Sequence, residues 1–151
     1  HDRIAIHGFA SNTRAAVQYL RLLDFGTPLD AAHTQRILGT RAAGSTRIGA
    51  ALRHATRCLL AEPVGPRAIV LITDGAPSDI DVFDARYLTE DARAAVLAAR
   101  RLGVQCHGLV VDPGADAYVR RIFGWRNYRV ALTAAQLPRQ LGELYDRLAA
   151  R

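Results

Sequence analysis

Strands alternating with helices along the chain predict a doubly wound α/β fold, with a mostly parallel sheet and helices on both faces. Two observations carry this. Ala68-Ile69-Val70-Leu71-Ile72 is an uninterrupted, largely β-branched apolar run, the pattern of a parallel strand covered on both faces. Helical periodicity flanks it: Ile48, Leu52, Ala55 and Leu59 fall at i, i+4, i+7 and i+11, one apolar face of a helix that must end before Pro63. At 151 residues, half of them hydrophobic, residues 1–151 are expected to form a single domain that buries roughly 70% of its unfolded surface.

Taken from the start, Ile4 to Phe9 alternates as a short strand and runs into the polar turn Ser11-Asn12-Thr13. Ala16 to Leu23 can return as its hairpin partner. Thr27-Pro28 breaks the pattern, and a short helix is expected from Ala31 to Leu38. After the apolar strand comes a polar loop and then a helix, for which Thr89 is a suitable N-cap, Glu90 and Asp91 suit the positive end of the dipole, and Gly103 suits the end. Val104 to Val111 reads as a second buried strand, followed by a helix at Tyr118 to Phe123 and a strand at Tyr128 to Leu132. In the last helix Pro138 fits the first turn, and Leu137, Leu141, Leu144 and Leu148 form the apolar stripe.

Composition excludes several classes of function. No apolar run approaches the roughly 20 residues that span a bilayer, and the N-terminus lacks the apolar stretch of a signal peptide, so a cytoplasmic protein without membrane insertion is expected. Cys58 and Cys106 lie far apart without C-x-x-C spacing, which suits buried free thiols rather than a disulfide framework or zinc knuckle. All 20 basic residues are arginine, a skew expected of a GC-rich genome. The net charge is +6, but the arginines are scattered and form no block, so nucleic acid is not an expected partner. The sequence holds no methionine and is expected to be a piece of a longer protein.

Ligands of doubly wound sheets sit at the carboxyl ends of the strands, which draws the eye to Thr73-Asp74-Gly75. Here Asp74 follows a buried strand and Gly75 frees the backbone to turn. Asp-Gly is equally a common structural turn. The second element is Gly44-Ser45-Thr46-Arg47-Ile48-Gly49, which presents hydroxyls at the start of a helix, where Ser45 or Thr46 would also serve as a cap.

Together these two elements resemble the second and third metal-site loops of von Willebrand factor A (VWA) and integrin inserted domains. The resemblance implies a Mg²⁺ site, open also to Mn²⁺, with Thr46 and Asp74 as ligands and Ser45, Thr73 and Gly75 supporting them. Mg²⁺ demands octahedral oxygen coordination and keeps waters, so a carboxylate from a partner could complete the shell. The family's Asp-x-Ser-x-Ser motif does not occur in these residues; Ser11-Asn12-Thr13 carries hydroxyls without the aspartate. Since Asp2 to Phe9 resembles the family's second strand, the resemblance implies an N-terminally truncated VWA/Rossmann-like domain, lacking its first strand and helix.

The segments Ser45 to Ala55, Leu71 to Asp81, Arg86-Tyr87 with Glu90-Asp91, and Ile122-Phe123-Gly124 look like the C-terminal VWA domain of NorD and CbbO proteins. That likeness implies a non-enzymatic adaptor linking a MoxR-type AAA+ ATPase to a target complex, in activation of nitric oxide reductase or of rubisco.

Other readings of the same residues compete. Asp79, Asp81, Asp84 and Glu90 invite a calcium loop, but Phe83 and Asp84 stand at its fifth and sixth positions. Asp79 and Asp81 then become solvated loop charges, partner contacts or supports of the Asp74 site. A haloacid-dehalogenase-like Mg-dependent phosphatase would need a second acid two residues after Asp74, where Ala76 stands. No lysine is present for a phosphate-cradling loop, and the histidines show no metal spacing. Finally, Arg120 to Arg129 interleaves arginine with aromatics. That composition suits either a core-anchored helix and strand or a protein-contact surface, with Arg126 the candidate contact.

Overall fold

The structure is a computed structural model, and it describes residues 2–150. Strand β1 (Ile6–Ser11) and strand β2 (Val17–Leu23) pair antiparallel, Ser11 opposite Val17. The turn closes through the Asn12 N–H donating to the Ala16 carbonyl at 3.0 Å and the Ala16 N–H donating to Thr13 at 3.1 Å. Helix α1 (Ala31–Leu38) follows, capped by the Asp30 carboxylate, which accepts from the His33 N–H. It buries none of its residues and lies on the surface.

The remaining elements build the main body: helix α2 (Ile48–Leu60), strand β3 (Arg67–Thr73), helix α3 (Ala85–Arg101), strand β4 (Val104–Val110), helix α4 (Asp116–Phe123), strand β5 (Tyr128–Val130) and helix α5 (Leu137–Ala149). A single turn of 3₁₀ helix, Ala134–Gln136, leads into α5. β3, β4 and β5 form a parallel sheet in that order. Parallel neighbours need crossovers, and α3 and α4 supply them. Side chains alternate across a strand, so Val104, Cys106 and Val110 of β4 face one side. There they join Ile48 and Leu52 of α2, Ala92, Val96 and Ala99 of α3, and Val119 and Phe123 of α4 in the core. Leu109 has the opposite parity and is buried on the other side, where α5 lies against β4 and buries Leu144. Helices therefore cover both faces, as the periodicity predicts.

Gly108 shows how tight the first side is. A Cβ there would meet the Phe123 ring at 2.7 Å, so the ring sits against bare backbone and only glycine fits.

Three expectations need adjustment. α3 starts at Ala85, a full turn before Thr89, because the Asp84 carboxylate caps it by accepting from the Arg86 N–H and because Leu88 is buried and holds that first turn on the core. β5 is shorter than its apolar pattern, although the Ala131 N–H still donates to Val110 at 2.7 Å. β3 is not fully covered. Ile72 is 48% exposed, because β3 pairs only with β4 and its other edge carries no strand among the described residues. Among the described residues β1 likewise pairs in a sheet only with β2, and an isolated bridge between Ser11 and Ser45 ties its end to the loop before α2.

Candidate functional site

The bridge marks the place where three loops converge. Ser11 and Ser45 exchange backbone hydrogen bonds, the Ser11 N–H donating at 2.8 Å and the Ser45 N–H at 2.6 Å. Gly44 makes this approach possible: it adopts φ +67°, and a Cβ would meet the Ser11 carbonyl oxygen at 2.6 Å. One residue further, Thr46 and Ser78 exchange a second pair, at 3.0 and 3.1 Å. The loop that begins at Asp74 is thereby pinned to the loop that carries Thr46.

Asp74 follows the last residue of β3, at the carboxyl edge of the parallel sheet. Its turn is organised by Thr73, whose hydroxyl donates to the Gly75 carbonyl at 3.2 Å and accepts from the Gly75 N–H at 3.4 Å. Gly75 itself has no left-handed φ, and nothing lies where its Cβ would be. The turn therefore depends on the Thr73 hydroxyl and not on a glycine, contrary to the expectation for Gly75. Ser45 contributes through its backbone the first rung between the loops.

Beneath the Thr46–Ser78 pair lies an ion cluster. The Arg47 guanidinium donates through Nε to Asp79 at 2.7 Å and through Nη2 to Asp81. The side chains of Arg47 and Asp79 are 8% and 0% exposed. Burial alone would push the Asp79 carboxyl up, but its hydrogen bonds, those from Arg47 and the Ile80 N–H among them, outweigh it and hold the carboxyl below its ordinary value. Asp81 also accepts from the Arg14 N–H of the hairpin turn, at 2.8 Å. Asp79 is thus an interior ion-pair partner and not a surface contact, because a carboxylate removed from water needs a cation beside it. Asp81 keeps a quarter of its side chain exposed, yet it is committed to the same guanidinium.

A second carboxylate stands at this edge. Val110 is in register with Thr73, and the Val111 N–H donates to the Thr73 carbonyl at 2.9 Å. Asp112 therefore follows β4 much as Asp74 follows β3. It caps the turn into α4, accepting from the Gly114 N–H at 2.9 Å and from the Tyr118 hydroxyl at 3.2 Å. Burial, the charge and hydrogen bond of Asp112, and the charge of Asp74 all push the Tyr118 phenol up. Both carboxylates thus act on one hydroxyl. Sequence reading passed over Asp112, though its position after a buried strand is the signal that found Asp74; nothing local marks Arg47.

Arg126 lies elsewhere. It sits in the turn between α4 and β5, where Gly124 approaches Arg100 at the end of α3, toward the amino-terminal edge of the sheet. Its φ of 72° is unusual for a residue with a side chain. Neighbouring Trp125 is 67% exposed beneath Arg120, whose guanidinium lies 5.2 Å from the indole centroid. Arg126 and Asp74 therefore do not share one contact patch.

Thr46 and Asp74 offer a hydroxyl and a carboxylate, the hard oxygen donors that suit Mg²⁺. No three His, Cys, Asp or Glu side chains gather to hold a metal ion among the described residues, so a cation here would lean on hydroxyls and water. Among the same residues no helix is long and apolar enough to cross a membrane. A groove of about 330 Å³ between β2 and α2 is lined by Tyr19, His54 and Arg57 among others and includes none of Thr46, Asp74 or Asp112.

Comparison with known proteins agrees with this fold. The chain matches the von Willebrand factor type A domain over residues 1–147. It is 35% identical over 148 residues to the protein NorD of Brucella melitensis, covering 98% of this chain and 23% of that one. It is 35% identical over 127 residues to NorD of Stutzerimonas stutzeri, covering 84% and 21%. An uncharacterized protein of Pseudomonas aeruginosa is 35% identical over 147 residues, covering 97% and 24%. The chain spans about a quarter of the length of these curated relatives. Among solved structures, the conserved hypothetical protein BatB from Bacteroides thetaiotaomicron shares the fold, with a TM-score of 0.62 at 17% identity over 99% of this chain and 80% of that one.

Proposed function

This chain belongs to the von Willebrand factor type A family, and from that premise we propose that its carboxyl-edge loops bind Mg²⁺ or Mn²⁺ and present it to a carboxylate of a protein partner. The observation that carries the reading is the reciprocal Thr46–Ser78 backbone pair, which pins the loop of Thr46 to the loop of Asp74. Thr46 would hold the cation through its hydroxyl and Asp74 through its carboxylate. A bound cation would supply an open coordination position of positive charge. Thr73 orients the turn that carries Asp74, and the backbone of Ser45 orients Thr46.

Two ligands are too few for an octahedral ion that keeps only some of its waters. The remaining protein oxygens would come from the Asp-x-Ser-x-Ser strand of a longer protein, laid along the open edge of β3, where Ile72 is half exposed. The length of the relatives supports this, since the chain spans about a quarter of them.

The likeness to NorD supports a place for the domain as a non-enzymatic adaptor. In this reading it links a MoxR-type AAA+ ATPase to its target complex in the cytoplasm, nitric oxide reductase in one branch and rubisco in the other. The test is Asp74→Ala in the full-length protein, with Mn²⁺ affinity and capture of the ATPase as readouts. Loss of both with an unchanged circular dichroism spectrum is the expected result. Wild-type binding of both in the variant would overturn the reading.

A further inference from the structure

Arg47 stands next to Thr46 in sequence but spends its side chain on a loop one helix and one strand away. Three of its features go together. The guanidinium is buried, although arginine is among the residues least often found inside. It engages two carboxylates with two different nitrogens, Nε on Asp79 and Nη2 on Asp81. Both carboxylates are held from their other sides as well, Asp79 by the Ile80 N–H at 2.8 Å and Asp81 by the Arg14 N–H at 2.8 Å. The planar fork of arginine can bridge two acids in fixed directions; a lysine, a single point charge on a flexible stem, cannot.

The consequence is mechanical. The hairpin turn, the segment Ser45 to Arg47 and the loop Ser78 to Asp81 come from three parts of the chain and share no strand pairing beyond the Ser11–Ser45 bridge. Arg47 and its two acids tie all three together directly below the Thr46–Ser78 backbone pair. We infer that Arg47 is the positioning residue of this site, its two-armed grip on Asp79 and Asp81 fixing where Thr46 stands relative to the loop of Asp74. The grip also occupies two carboxylates that would otherwise be free to collect cations beside the site. This rests on the reading of Thr46 and Asp74 as cation ligands, and Arg47, Asp79 and Asp81 act on the cation only through them.

The experiment compares the full-length protein with its Arg47→Lys and Asp81→Asn variants. Arg47→Lys keeps the charge and removes the fork; Asp81→Asn breaks one arm at the more exposed acid, so that folding is retained even if a buried lysine is not tolerated. Each is followed by Mn²⁺ titration and by amide hydrogen exchange. Positioning predicts a Kd for Mn²⁺ raised about tenfold or more. It also predicts faster exchange confined to Ser45 to Ile48 and Ser78 to Asp81, with the amides of β4 as protected as in the wild type. Wild-type exchange in both segments together with wild-type Mn²⁺ affinity would overturn it, as would acceleration spread evenly over the core, which marks a merely structural ion pair. Should the wild-type protein bind no Mn²⁺, the metal reading fails by itself, and exchange at the two segments still decides whether Arg47 fixes them.

Discussion

Gly44 and Asp79 are the two positions where a single side chain has the largest leverage on the site. At Gly44 a methyl group meets both obstacles at once, a left-handed φ of +67° and the Ser11 carbonyl at 2.6 Å. Gly44→Ala is therefore expected to cost about 1–3 kcal/mol, from strain and overpacking together, measurable as a lower midpoint in urea unfolding. Asp79 gives the stability a pH dependence. Its folded carboxyl lies below the ordinary value of 3.8, because its hydrogen bonds, those from Arg47 and the Ile80 N–H among them, outweigh the opposing cost of burial. The folded state thus binds the proton more weakly than the unfolded chain. This contribution to stability is present above pH 3.8 and is lost as pH falls below it. In acid unfolding, Asp79→Asn should flatten the loss of stability below pH 4, while near pH 7 it should lower stability by about 3–5 kcal/mol, because Arg47 is left buried with half its partners. Thr46 and Asp74 were legible in the sequence because each stands at the end of a strong local pattern, a helix start and a buried strand. The Arg47–Asp79 pair was not, since the partners lie 32 positions apart and meet only through the path of a loop without periodicity. Without that partner, Asp79 and Asp81 read as solvated loop charges, partner contacts or supports of the Asp74 site.

Among the helices of the main body, α5 is the most weakly anchored. Its four-leucine stripe predicts a buried face, yet only Leu144 is buried and Leu141 is 38% exposed. The periodicity identified the helix correctly but said nothing about how much surface waits to receive it, and β5, only three residues long, offers little. Leu144 consequently carries most of the docking. Leu144→Ala should cost about 2–5 kcal/mol and speed amide exchange throughout α5 before the parallel sheet is affected. α3 shows the opposite error. A polar stretch around Asp84 hid its first turn, where an Asx cap and the buried Leu88 outweigh the more obvious Thr89. Strong caps near the middle of a helix are decoys when an apolar side chain further upstream already has a place in the core.

For the molecule as a whole, the order and type of every strand and helix could be read from periodicity, and the core on the α2, α3 and α4 side follows from it. The division into two sheets could not be read so directly. It appears as a pair of open edges among the described residues, one on β1 and one on β3, with the end of β1 bridged at Ser11 to Ser45 in the loop before α2. All the chemistry argued for the site gathers beside it: Thr46 on the loop before α2, Asp74 on the loop after β3, and the Arg47 cluster tying the loops together. A cation held by both Thr46 and Asp74 would join the loop before α2 to the loop after β3 as well as bind a partner, so binding and stability should rise together, by RT ln(1 + [L]/Kd). The most direct test is a calorimetric titration of Mg²⁺ and Mn²⁺ into this chain and into the full-length protein, each beside its Asp74→Ala variant. Binding in the full-length protein that disappears with Asp74→Ala is the predicted result; a full-length protein that binds neither cation, or binds them equally well without the Asp74 carboxylate, would contradict it.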